Sequence, residues 1–184
     1  MYSGPIRSAG GTAAAVSVVV ADYVRVKMGY DAYVPTDKEI QRNVTELQDY
    51  HDRVTNLQYL PSGKEVQFLM EHLPVQVNGD PSEKIEVSNY KDLERVETNR
   101  IRSGVCLVMG EGIAQKAKKV HKQLSSWSKE FGLEHWDFLK DFLKLQQKEK
   151  AQGKEEDTQK IVPVYTFISD IVAGRPVLTH PLRP

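Results

Sequence analysis

From Ala13 to about Met28 nearly every position is Ala, Val, Tyr or Met, which predicts a core helix that is apolar on almost every side. Thr12 stands where an N-cap belongs, and Gly29 can close the helix in a left-handed conformation before the connection Tyr30 to Pro35. Behind Pro35, Thr36-Asp37-Lys38-Glu39 has the form of a capping box, opening a second helix that buries Ile40, Val44, Leu47 and Val54. Pro61-Ser62-Gly63-Lys64-Glu65 repeats the device with Ser62 and Glu65, and Val66, Leu69 and Met70 form the stripe of a short third helix that Pro74 ends.

The period then shortens to two. Val75-Gln76-Val77 and Ile85-Glu86-Val87 each turn their apolar residues to one face, and Asn78-Gly79-Asp80-Pro81 between them predicts a hairpin. Val96 to Ile101 reads as a third extended piece or as a polar loop. Helical spacing returns with Val105, Leu107, Val108, Ile113, Ala117, Val120 and Leu124, where Gly104, Gly110 and Gly112 let another backbone come close. Trp136, Leu139, Phe142 and Leu143 mark a further amphipathic helix. The expected fold class is therefore α+β, predominantly helical with a small antiparallel sheet. Its order helix, helix, strand, strand, helix is compatible with a KH-like module.

Residues 1–145 form the main region on this reading. Residues 146–160, with Ala151 as the sole apolar side chain, read as a fraying helix end and a charged, solvated linker. Residues 161–184 hold a last helix, Val164 to Val172, and a proline-punctuated tail.

Composition narrows the function classes. The 184 residues carry 25 Lys plus Arg and 25 Asp plus Glu, so no global field draws the molecule to nucleic acid or to an anionic membrane, and any such affinity is local. Cys106 is the single cysteine, which rules out an internal disulfide and fits a cytoplasmic setting. The stretch Ala13 to Ala21 after Arg7 has something of a signal-peptide core, but it is too short to span a bilayer and is broken by Ser17 and Asp22. No membrane contact is expected.

Candidate chemistry lies in a few places. Gly10-Gly11-Thr12 lacks the lysine of a phosphate-binding P-loop, yet helix-start amides with Arg7 nearby suit a single phosphate; the alternative is a tight, close-packed helix start. Lys116, Lys118, Lys119, Lys122 and Lys129 share a span without an acid, with Trp127 close by as a stacking candidate, against the alternative of a solvated face with a core tryptophan. Arg95, Arg100 and Arg102 cluster around Asn99, with pairing to Glu94 and Glu97 as the simpler account. His51, His72, His121, His135 and His180 lack metal-ligand spacing, Cys106 sits in an apolar run, and there is no Asp-x-Asp pair for two-metal phosphoryl transfer.

Four segments together resemble, in order, the large subunit of the archaeal family D replicative DNA polymerase. They are Gly4-Pro5-Ile6-Arg7-Ser8-Ala9-Gly10-Gly11-Thr12 with its following helix to Arg25, His72 to Gly79 (HLPVQVNG), Arg95 to Val108 (RVETNRIRSGVCLV), and Ile171 to Val177 (IVAGRPV) with His180-Pro181. The resemblance implies template-directed DNA synthesis by a heterodimer with a small subunit carrying a phosphoesterase-type proofreading nuclease, and 3′ to 5′ exonuclease action in the holoenzyme. It implies chemistry in double-psi β-barrels with an aspartate-rich, magnesium-using loop far downstream. This chain looks like an N-terminal fragment, so no catalytic or metal residue is carried over and no cofactor is expected within it. The expected partners are primer-template DNA and the small subunit. The candidates for DNA contact are Arg7, Gly10, Gly11, Arg100, Arg102, Lys118 and Lys119. The alternative is a scaffold that docks the catalytic barrels or the small subunit without touching DNA.

Overall fold

Local capping chemistry sets the starts of two helices. Thr36 Oγ1 accepts from the Glu39 amide while Glu39 Oε2 accepts from the Thr36 amide at 2.7 Å, opening α2 (Asp37–Arg53). Ser62 and Glu65 do the same for α3 (Gly63–His72). The computed structural model describes the backbone of residues 1–159 and the side chains of residues 1–152. The expected helix Val164–Val172, the segment Ile171–Val177 and His180 lie outside the described residues.

The first helix, α1, spans Gly11–Met28 and closes on Gly29 at φ 71°. It starts earlier than the sequence suggests, because Gly10 (φ −63°, ψ 150°) is its N-cap and Thr12 already lies inside. A long helical path follows later in the chain: α4 (Ser103–Leu107), a π-helical stretch Val108–Ala114, and α5 (Gln115–Phe131), which ends on left-handed Gly132. Trp136 belongs to a 3-10 turn, Glu134–Asp137, and α6 (Phe138–Gln159) starts after it.

The chain falls into two units, Met1–Gln147 and Lys148–Pro184. In the first, α1 packs on the π-helical stretch and α5, while α2 packs on α3 and α4. Val18, Leu69, Ile101, Val105, Val108, Leu139 and Phe142 are wholly buried in its core. A Cβ added to Gly11 would overlap the Glu111 carbonyl oxygen, and one on Gly112 would meet the Ala14 Cβ at 3.4 Å. Glycine thus lets α1 and the widened π turn approach closely. In the second unit the helix continues to Gln159, through most of the span expected as a linker.

The expected antiparallel sheet, and the KH-like arrangement with it, is not present: the described residues are helical with two isolated bridges and no strand. The 75–77 and 85–87 segments do not pair with each other. Asn78 bridges Tyr2 in parallel, with Ser3 N donating to Asn78 O at 2.7 Å. Glu86 bridges Arg100 in antiparallel fashion. The physical reason lies in where the backbone hydrogen bonds go: Met1 and Ser3 bond to Gln76 and Asn78, and Asn99 and Ile101 to Ile85 and Val87, so each expected strand is satisfied by a segment other than its intended partner, while α2 side chains hold the loop that follows. Arg42 donates to the carbonyls of Tyr90, Thr98 and Arg100, and Asp49 accepts from the Ser88 amide at 2.7 Å.

Candidate nucleic-acid interface

Two of the expected basic features meet at the start of α1. The helix has no side-chain cap and no acid in its first turn, so its first amides keep the positive end of the helix dipole uncompensated. Lys119 reaches this end, with Nζ donating to Thr12 Oγ1 at 3.4 Å. Lys116 lies there too, its Cε 3.1 Å from where a Gly11 Cβ would be. Gly10 is exposed and open, whereas Gly11 is held against the π-helical stretch. Lys118, Lys122 and Lys129 are exposed on the same α5 helix. An uncapped helix start with lysines beside it forms an arrangement suited to phosphate oxygens.

The arginines divide. Arg7 is exposed and lines a cleft of about 150 Å³ with Ser3, Gly4, Asp80, Ser82 and Gly104, so an acid shares its surroundings. Arg100 is exposed beside the Glu86 bridge. Arg102 is in the core: its side chain is 1% exposed, its Nη2 lies 2.6 Å from Glu46 Oε2 and its Nη1 donates to Asn78 Oδ1. Burial lowers its proton affinity, but the Glu46 charge and hydrogen bonds outweigh that and raise it. Arg102 therefore offers no free fork to a phosphate. Arg42 approaches the same carboxylate from α2, with Nε 3.1 Å from Glu46 Oε2 and no exposure on either side chain. Arg95 pairs with Glu39, not with Glu94 or Glu97, and lies over the Tyr33 ring at 5.1 Å.

Several other side chains are structural. Cys106 is buried, its Sγ 3.7 Å from the Glu46 carbonyl oxygen, and burial pushes its thiol well up. His51 Nδ1 accepts from the Leu57 amide, and His72 stacks on Phe68 at 4.1 Å. Trp127 faces α1 and meets Phe131 edge-on, so it is not a platform beside the lysines of α5. Sequence reasoning missed Asp22, whose buried carboxylate accepts from Arg25 Nε at 2.7 Å and Trp136 Nε1 at 2.7 Å and contacts His135 Nε2 at 2.6 Å. An acid inside an otherwise apolar helix was the one available signal. Among the described residues no three His, Cys, Asp or Glu side chains gather as a metal site, and no helix is long and apolar enough to cross a membrane.

Residues 1–145 match the family model described as DNA polymerase II large subunit DP2, N-terminal. A DNA polymerase II large subunit from Nanoarchaeum equitans is 49% identical over 98% of this chain and 17% of its own length. Its counterpart from Archaeoglobus fulgidus is 49% identical over 99% of this chain and 15% of its own length, and that from Methanothermobacter thermautotrophicus 49% over 98% and 16%. The chain thus spans about a sixth of the curated relatives it matches. It belongs to the DNA polymerase II large subunit family and corresponds to the N-terminal part of that subunit.

Proposed function

We propose that this chain is the accessory, DNA-contacting N-terminal part of a replicative DNA-directed DNA polymerase large subunit. The observation that carries the reading is the uncapped start of α1 lying beside Lys116 and Lys119, with Lys118 exposed on the same helix. Backbone amides and lysines neutralise phosphates without reading bases, which suits a protein that must follow primer-template DNA of any sequence. On this reading Gly10, Lys116, Lys118 and Lys119 contact the backbone, and Arg7 and Arg100 add peripheral charge. Arg102 acts from within by holding the fold.

Template-directed synthesis and 3′ to 5′ exonuclease action belong, on this reading, to the parent polymerase, as do its magnesium, its pairing with a small subunit and its cytoplasmic setting. The described residues do not fit magnesium, since they bring no set of acidic or histidine ligands together. A second reading, a docking role toward other parts of the polymerase, is favoured by exposed apolar side chains on α1.

The test is fluorescence anisotropy of labelled primer-template DNA with the 184-residue chain at low salt. Binding that weakens in the Lys118→Ala, Lys119→Ala double variant supports the reading. No binding by the parent chain, or binding indifferent to both changes, refutes it.

A further inference from the structure

Lys118, Lys122 and Lys129 form one row on the exposed face of α5. At 3.6 residues per turn they fall within about 40° of one another and extend over about 17 Å of helix. Ser125 and Ser126, exposed between them, donate to Lys122 O and Gln123 O of their own helix. Other exposed lysines are neutralised within reach, Lys140 by Asp137 at 2.9 Å, Lys144 by Asp141 at 2.8 Å and Lys91 by Glu86 at 2.7 Å. Among the described residues no acid pairs with a lysine of the α5 row, and Glu130, the sole acid of α5, lies about 100° round the helix from Lys129. A chain whose charges balance overall thus carries a local row of unbalanced positive charge. Next to Lys118, Lys119 reaches back to Thr12, which joins the row to the uncapped start of α1.

Two properties select which form of DNA suits this row. Single strands are held by rings on which successive bases stack. The two rings of α5, Trp127 and Phe131, meet edge-on and line the side toward α1, each about 160° round the helix from the middle of the row. The exposed tyrosines are elsewhere: Tyr2 donates to Asp80, Tyr30 follows the far end of α1, and Tyr90 belongs to the loop before Val96. The second property is charge density. A duplex presents one phosphate per about 1.7 Å of axis, so about ten pass along the row in fixed positions, whereas a single strand presents half as many and must also be ordered. Lysines are mobile point charges that need no register with the bases. We infer that the α5 row, together with the start of α1, grips the double-stranded part of primer-template DNA through its phosphates and does not hold the single-stranded template. The inference rests on the DNA-contact reading above and names the part of the DNA that this surface takes.

The experiment measures anisotropy of labelled duplex and of single-stranded DNA of equal length with the 184-residue chain over a series of salt concentrations, for the parent and for Lys122→Ala with Lys129→Ala. Duplex is expected to bind tighter than single strand by about tenfold or more, and the double variant to lower the salt slope on duplex by about 1.8, with the thermal melt unchanged because both side chains are exposed. Lys122→Arg with Lys129→Arg keeps the charge and is expected to keep the slope. Single strand bound as tightly as duplex overturns the inference and leaves DNA contact as such intact, as does a duplex slope indifferent to the alanine pair or lowered equally by the arginine pair. No binding of either DNA overturns both.

Discussion

Arg102 and Glu46, 56 residues apart in sequence, meet in the core with Nη2 and Oε2 2.6 Å apart and side chains 1% and 0% exposed. The same carboxylate accepts from the Arg102 amide and from Arg42, so one acid ties α2 to the start of α4 and, through Arg42, to the carbonyls of the 90–100 loop. Removing a partner from such a buried pair strands the other charge. Arg102→Ala is expected to cost about 3–5 kcal/mol in urea unfolding, and Arg102→Lys restores little because an ammonium cannot reproduce the fork.

At the start of α1 neighbouring glycines separate packing from access. Gly11→Ala drives a methyl into the Glu111 carbonyl oxygen and is expected to destabilise by about 1–3 kcal/mol. Gly10 has open space around its Cβ position and extended N-cap geometry, so Gly10→Ser is expected to gain a few tenths of a kcal/mol by capping. The new hydroxyl competes for the same amides, so Gly10→Ser also weakens DNA binding. Thermal melts and anisotropy on the two variants check both halves.

Acid stability follows from Asp22. Burial raises its pKa, but hydrogen bonds from His135, Trp136 and Arg25 prevail, and the carboxyl titrates below its ordinary 3.8. A depressed carboxyl pKa contributes stability that is complete above the unfolded value and is lost as pH falls through the folded one. The melting temperature is therefore expected to drop as pH falls below about 4, with a shallower drop in Asp22→Asn.

Cys106 reports opening of the core. Its thiol is fully buried and burial holds it protonated, so a disulfide reagent such as DTNB is expected to label it only as the chain unfolds. Fast labelling of the native chain at neutral pH contradicts this placement.

The parts legible in sequence were local. Both capping boxes and the left-handed close at Gly29 depend on residues within a turn of one another, and each formed as expected. The hairpin failed because alternation at Val75, Val77, Ile85 and Val87 says which side is buried, not which segment supplies the hydrogen bonds; Met1 and Ser3 supply them to Gln76 and Asn78, and Asn99 and Ile101 to Ile85 and Val87. Arg102 read as a phosphate ligand because its partner, Glu46, lies far away in the chain. The juxtaposition of Thr12 with Lys119, 107 positions apart, was invisible for the same reason, although each stretch was singled out separately.

The most direct measurement of the central claim is the salt dependence of DNA binding by the intact chain. If phosphates are held by α1 amides and α5 lysines, log K falls linearly with log salt, and Lys116→Ala with Lys119→Ala lowers the slope by about 2 on duplex DNA without altering sequence preference. A slope unchanged by both substitutions, or no measurable affinity at low salt, contradicts the claim.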